Sequence, residues 1–115
     1  MSYLCSVKII IRGMNRRAIV SAIKEAIHRL PMNLEARLYG SEARGDARID
    51  SDIDVLILVD KPVVDKTDEE RVFACLYPIE LSSGIAINPV IMPRNLWGAR
   101  ITPFYINVEN EGILL

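Results

Sequence analysis

Cysteine and histidine, the residues that most often bind zinc in proteins, are scarce in this chain. Its 115 residues include two cysteines, Cys5 and Cys75, and a single histidine, His28. The cysteines lie far apart in apolar surroundings, without the paired spacing of a zinc site, so we expect two reduced, packed thiols. His28 falls near the end of a predicted helix, where a cation interacts favourably with the helix dipole, and we assign it no catalytic role.

The sequence also lacks a charge excess and a long hydrophobic run. A formal net charge of −1 gives no electrostatic support for binding duplex nucleic acid. The apolar run from Ile9 to Ile11 is too short for a signal peptide or a membrane span, which predicts a cytoplasmic protein. Half of the residues are hydrophobic and a quarter are charged, and with this length they predict one globular domain over residues 1–115.

The first half of the chain alternates between helical and strand patterns. Asn15 is a good N-cap, and apolar residues at helical spacing predict a helix from Arg16 to Arg29. Two strands follow, Leu34 to Tyr39 and the β-branched run Ile53 to Val59. Residues 1–13 are either a strand or an apolar lead-in that packs over the first helix.

A second long helix is predicted after the paired strands. Thr67 and Glu70 have the spacing of a capping box, and Gly84 is placed to end the helix. Pro78 lies inside this pattern, which indicates either a kinked helix or two short helical pieces.

The last third of the chain predicts a strand and a short helix. The strand runs from Ile85 to Met92, with Pro89 marking an edge position or a bulge. Pro103 is well placed to begin a helix that ends near Gly112.

Two aspartates at the start of the second strand carry the first chemical signal. Asp52 and Asp54 alternate with an apolar residue, so both carboxylates point to one face, with Cα atoms about 6.5 to 7 Å apart. Carboxylates this close repel each other unless a positive charge lies between them. Hard oxygen ligands favour Mg²⁺, and either one ion or two ions fit this arrangement. The pair therefore predicts a metal site.

The turn after the first strand carries the second signal. Gly40 lets a ligand approach the backbone, and a helical turn after it would present N–H groups to an anion. Ser41 adds a hydroxyl, and Arg44 lies on the same side of such a turn. A simpler alternative for Ser41 is a role as an N-cap, and an alternative for Arg44 is a role as a brace for the acidic segment that follows it. We favour a role in binding a polyphosphate beside the metal.

The combined string GSEARGDARIDSDIDVLIL resembles the signature of the DNA polymerase β-type nucleotidyltransferase superfamily, in particular its minimal members from bacteria and archaea. The shared pattern is Gly40-Ser41, ten intervening residues, and Asp52-x-Asp54. The resemblance implies an α/β fold of the α+β type, with a small mixed β-sheet covered by helices. It also implies that Gly40 and Ser41 bind the triphosphate of ATP and that both aspartates bind Mg²⁺. Some members of this superfamily are antitoxins that transfer AMP to a tyrosine of a helical HEPN-type toxin.

The chain departs from the resembled family at one position. Family members place a third carboxylate on the strand corresponding to Ile85 to Met92, and this strand has no acidic residue. Asn88 is the polar candidate on the relevant face, and its amide oxygen can bind Mg²⁺ but cannot act as a base at neutral pH. Glu80 and Asp50 are two further candidates for the missing base.

Three functions follow from this pattern. The first is a Mg²⁺-dependent transfer of AMP from ATP to a hydroxyl group, with a HEPN-type partner protein as the acceptor that the resemblance implies. The second is a catalytically impaired subunit that binds and neutralises a helical partner. The third is a subunit of an aminoglycoside-type nucleotidyltransferase with its second domain supplied by another chain. Trp97 and Tyr105 are interpreted as packing residues, with partner anchoring as the alternative.

Overall fold

A mixed β-sheet lies at the centre of the computed structural model, which describes residues 15–115. The expectations for residues 1–13 and for Cys5 lie outside the described residues. Within residues 15–115 the sheet has four strands in the order β3-β2-β1-β4; β2 and β3 are parallel, and the other neighbouring pairs are antiparallel. The elements are α1 (Arg16–His28), β1 (Leu34–Tyr39), α2 (Gly40–Arg44), β2 (Ile53–Val59), α3 (Lys66–Ser83), β3 (Ile87–Pro93), α4 (Pro103–Glu111) and β4 (Ile113–Leu114).

Both faces of the sheet are covered, but to different extents. Helices α1 and α3 pack together on one face, and their buried residues join those of the strands in the main core. On the opposite face, Val108 of α4 packs against Leu56 and Leu58 of β2. Because β2 is buried from both sides, its sequence is a continuous apolar run rather than an alternating one. Each fully buried aliphatic side chain of this kind contributes about 1.5 to 3 kcal/mol to folding.

The structure confirms the fold class and most of the predicted elements. Strands β1 and β2 have the predicted bounds, and Asn15 caps α1 by accepting a hydrogen bond from the Ala18 amide at 3.0 Å. Helix α4 also begins at Pro103 as predicted. Within the described residues, none of the helices has the length and apolar character needed to cross a bilayer.

Strand β3 lies two residues later at its start and one residue later at its end than the sequence predicted. Among the strands of residues 15–115 it is an edge strand, so in that part of the chain Pro89 faces no second neighbour whose carbonyl would need its missing N–H. The edge alternative for Pro89 is therefore confirmed. The side chain of Glu80 sets the start of the strand, because its carboxylate accepts a hydrogen bond from the Ile87 amide at 3.0 Å.

The predicted capping box of α3 was wrong by two residues. Asp65, not Thr67, is the N-cap, and its carboxylate accepts a hydrogen bond from the Asp68 amide at 2.9 Å. The Asp68 carboxylate accepts one from the Asp65 amide at 3.1 Å and one from the Lys61 ammonium at 2.6 Å. These bonds, led by the one from Lys61, lower the pKa of Asp68. A carboxylate at the cap also interacts well with the helix dipole, which favours Asp over Thr.

Helix α3 continues through Pro78 as one helix, so the alternative of two short pieces was wrong. Proline removes the N–H that would bond to the carbonyl of Ala74. Both Ala74 and Pro78 are exposed, so water can satisfy that carbonyl. Gly84 ends the helix in the left-handed conformation, as the sequence predicted.

We expect Asp65→Ala to destabilise the protein by about 1 kcal/mol, the usual cost of losing an N-cap side chain. Thr67→Ala is the matched control, because Thr67 is exposed in the same helical turn and does not form the capping box. Urea unfolding monitored by circular dichroism measures both. Equal losses in the two variants would contradict the assignment of Asp65 as the cap.

Candidate active site

Three adjacent strands bring the candidate residues into one row. In the register of the sheet, Tyr39 of β1 is opposite Asp54 of β2, and Asp54 is opposite Asn88 of β3. Asp52 comes immediately before β2 and points to the same face as Asp54. This is the face that carries α4, opposite the main core. The row lies at the end of β1 where the chain turns through Gly40.

The side chain of Asn88 joins the two aspartates. Its amide nitrogen donates hydrogen bonds to Asp52 Oδ2 at 3.2 Å and to Asp54 Oδ1 at 3.3 Å. Both carboxylates therefore converge on a single point, as the alternation of residues predicted. The partial positive charge of the Asn88 amide group lies between the two carboxylates and reduces their mutual repulsion.

Gly40 lies directly against the carboxylate of Asp54. Its φ of +72° is in the left-handed region, and an added Cβ would lie 2.5 Å from Asp54 Oδ2. Only glycine fits both the backbone conformation and the available space. The turn and the metal-binding candidate are therefore packed in contact, as one site.

Helix α2 begins at this turn. Its N-cap residue is Tyr39, which makes no side-chain capping bond, and Ser41 is the second residue of the helix. The alternative in which Ser41 is only an N-cap was therefore wrong. Gly45 ends the helix in the left-handed conformation, with its amide bonded to Ser41 O at 3.0 Å.

Arg44 braces the loop after α2. Its Nε lies 3.2 Å from Asp46 Oδ2, and its Nη1 lies 3.5 Å from Glu111 Oε2 of α4. Arg44 also borders a cavity of about 190 Å³ that includes Gly40, Tyr39 and Phe104 in its lining. The brace predicted as an alternative is thus observed, and phosphate binding by Arg44 stays a prediction.

Tyr39 belongs to the row of strand residues and also lines this cavity. Its burial raises the pKa of the phenol, and the negative charge of Asp54 raises it further. The ring packs edge-to-face against Phe104, with centroids 5.2 Å apart, and Phe104 packs in the same way against Trp97. Tyr39 therefore stays protonated at neutral pH and acts as a wall of the site. Trp97 and Tyr105 also pack on each other, as the packing interpretation predicted.

A third carboxylate does not join the aspartates within the described part of the chain. No group of three or more Asp, Glu, His or Cys side chains there could hold a metal ion. Glu80 is used at the start of β3, as described above, and Asp50 is exposed in the loop before Asp52. The carboxylates of Asp52 and Asp54 are oxygen donors of the kind that Mg²⁺ prefers, whereas Asn88 presents its amide nitrogen to them.

Arg16 makes contacts beside the site that the sequence did not predict. Its guanidinium lies 2.5 Å from Glu42 Oε1 and also bonds to the carbonyl oxygens of Ile49 and Ser51. Ile49 and Ser51 belong to residues 45–52, a segment that we call the acidic loop. An arginine at the first position of an amphipathic helix is usually solvated. Only the tertiary fold brings it beside the site, so the local sequence carried no signal.

Comparison with known proteins adds independent information. A family model described as nucleotidyltransferase domain matches residues 20–111. A protein of Methanocaldococcus jannaschii, provisionally named a protein adenylyltransferase, is 34% identical over 100 residues, which cover 82% of this chain and 94% of the relative. A second protein of that organism with the same provisional name is 36% identical over 76 residues, covering 66% of this chain and 72% of the relative.

A solved structure has a similar fold. A chain in the crystal structure of a mutant of the toxin-antitoxin MntA-HpeT superposes with a TM-score of 0.54 at 17% identity. The superposition covers 90% of this chain and 72% of that chain.

We expect Gly40→Ala to destabilise the protein more than Gly45→Ala. Both positions have positive φ, so each alanine carries backbone strain of about 1 to 2 kcal/mol. Only at Gly40 would the new Cβ also collide with Asp54, because at Gly45 it meets no atom within 4 Å. Guanidinium unfolding of the two variants measures the difference. Equal losses would contradict the close packing of the turn against Asp54.

Proposed function

The chain belongs to the nucleotidyltransferase domain family, and we propose that it is a Mg²⁺-dependent enzyme that transfers AMP from ATP to a hydroxyl group of a partner protein. The observation that carries this proposal is the convergence of Asp52 and Asp54 on one point beside Gly40. Two carboxylates held close together at the start of a strand repel each other, and a bound cation would remove that repulsion. Metal binding would explain why the two carboxylates lie together.

Each residue of the site has a defined part in the proposed reaction. Asp52 and Asp54 would hold Mg²⁺, and Asn88 would offer its amide oxygen as a further ligand once the amide turned over, because its nitrogen now faces both carboxylates. The backbone at Gly40 and the Ser41 hydroxyl would hold the triphosphate tail, and Arg44, which lines the adjoining cavity, would contact it. Bound Mg²⁺ supplies charge neutralisation to the phosphates. The acceptor oxygen then bonds to the α-phosphorus as the bond to pyrophosphate breaks, and the acceptor proton leaves to solvent or to a partner group.

The proposed acceptor is a hydroxyl group of a partner protein. The provisional names of the two relatives from M. jannaschii support a protein acceptor. A HEPN-type helical partner, as in an antitoxin, comes from the family resemblance of the GSEARGDARIDSDIDVLIL string. The cytoplasmic location likewise stays a prediction from the sequence.

Asn88 favours a second candidate function. A neutral amide stands where the resembled enzymes carry an acid, and neither Glu80 nor Asp50 replaces it in the observed site. General-base assistance contributes about 10²- to 10⁴-fold in many enzymes. The alternative is therefore a subunit that binds nucleotide or a helical partner with little turnover.

We expect ATP with Mg²⁺ to raise the melting temperature of the wild type but not of the Asp52→Asn, Asp54→Asn double variant. Ligand at 100 times its Kd adds about 2.7 kcal/mol, which is several degrees for a domain of this size. Each variant is compared with its own ligand-free state. A Glu69→Gln, Glu70→Gln variant is the control, because it removes two exposed carboxylates on α3. A similar shift in the double variant would remove the support for this metal site.

We expect Asn88→Asp to make stability depend on Mg²⁺ and to increase AMP transfer to a HEPN-type partner. A third carboxylate adds repulsion without metal, adds a ligand with metal, and supplies a base. Melting temperatures with Mg²⁺ and with chelator test the first effect, and label transfer from α-labelled ATP tests the second. Asn88→Ala is the control that removes the amide without adding an acid. Unchanged transfer by Asn88→Asp would mean that the missing base does not limit the reaction.

A further inference from the structure

All three guanidinium nitrogens of Arg16 donate hydrogen bonds to residues around the candidate site. Its Nε donates to Glu42 Oε1 at 2.5 Å, its Nη1 to the carbonyl of Ile49 at 3.1 Å, and its Nη2 to the carbonyl of Ser51 at 2.6 Å. The side chains of Arg16 and Glu42 are only 17% and 16% exposed. An ion pair shielded in this way is more ordered than a solvated surface pair.

These acceptors flank the candidate site on both sides. Glu42 follows Ser41 in α2, and Ser51 directly precedes Asp52. The internal bonds of the acidic loop include Ser51 N to Arg48 O at 3.1 Å and Arg48 N to Ser51 Oγ at 2.8 Å, which form a local turn without attaching it to the core. Arg16 provides an attachment from outside the loop. It connects the phosphate-binding candidate to the metal-binding candidate.

The other end of this connection is rigid. Arg16 is the first residue of α1, and Ile19, Ile23 and Ile27 bury that helix against the sheet. A guanidinium can serve three acceptors in a fixed plane, whereas a lysine ammonium is a point charge on a flexible stem. Arg16 thus connects the loop to the main core, in addition to the bonds from Arg44 to Asp46 and from Asn88 to Asp52.

We propose that Arg16 is a positioning residue that holds the acidic loop so that Asp52 and Asp54 meet the metal ion together. This inference rests on the proposed function, because it assigns Arg16 a role at the same site. Loss of an interaction that orients metal ligands typically weakens metal binding by about 10- to 100-fold. We expect that range for Arg16→Gln.

A purely electrostatic role for Arg16 predicts the opposite sign. The acidic loop carries Asp46, Asp50 and Asp52, and a nearby cation lowers its attraction for a metal ion. Removal of that positive charge alone would therefore tighten metal binding. Removal of a positioning contact would weaken it, so the direction of the change separates the two roles.

The experiment measures Mn²⁺ affinity in the presence of ATP, by electron paramagnetic resonance, and amide hydrogen exchange across residues 45–52. Arg16→Gln should bind Mn²⁺ about 10- to 100-fold more weakly and lose protection at the Ser51 and Arg48 amides. Arg16→Lys should recover part of both. Arg17→Gln is the control, because Arg17 is the next residue of α1 and is exposed. Arg17→Gln should match the wild type.

Each other outcome has a defined meaning. If Arg16→Gln binds Mn²⁺ as tightly as Arg17→Gln, or more tightly, the positioning role is overturned. If the wild type itself binds no Mn²⁺ with ATP, the proposed function fails, and hydrogen exchange alone then decides whether Arg16 orders the loop. Unchanged exchange in Arg16→Gln would overturn that role as well. If Arg16→Gln does not fold, Glu42→Gln and Arg16→Lys, which each weaken the same contact, supply the comparison.

Discussion

Repulsion between two carboxylates at the end of a buried strand is the constraint on which the rest of this site depends. Strand β2, which carries Asp54, is held by neighbours on both edges and both faces, and Asp52 directly precedes it, so the two carboxylates start from adjacent positions on one face. The surroundings adapt to them. Asn88 offers an amide to both, and Gly40 leaves room for the Asp54 carboxylate. A cation bound between the two carboxylates would remove the repulsion that remains between them.

The sequence predicted those features that short stretches of chain determine by themselves. The bounds of β1 and β2 follow from an apolar run next to a glycine turn, and the shared face of Asp52 and Asp54 follows from strand alternation. The cap of α3 was predicted at Thr67 because the spacing from Thr67 to Glu70 fits a capping box. Asp65 has the same spacing to Asp68, and Lys61 supports that second pair with an ion pair. The choice between two equal local patterns was made by a third residue.

Features that depend on distant residues were beyond the sequence. Arg16 and Ser51 are separated by helix α1, strand β1 and helix α2, so nothing near Arg16 indicated its partners. Arg44 lies within the recognised string, but its ion pair with Glu111 comes from α4 at the other end of the chain. The bridge from Asn88 to both aspartates needed the parallel pairing of β2 with β3, which a single sequence does not specify. In each case the missing information was a register or a packing direction.

The carboxylate end of the sheet face that carries α4 is exposed. Helix α4 covers Leu56 and Leu58, whereas Asp52 and Asn88 at the near end of the same face are exposed. The tip of the acidic loop beside them carries Ile49, an isoleucine whose side chain is almost fully in solvent. Within residues 15–115, no element closes over these carboxylates. In the proposed reaction, a partner protein seated on this face would exclude water from the carboxylates and place the acceptor hydroxyl beside them.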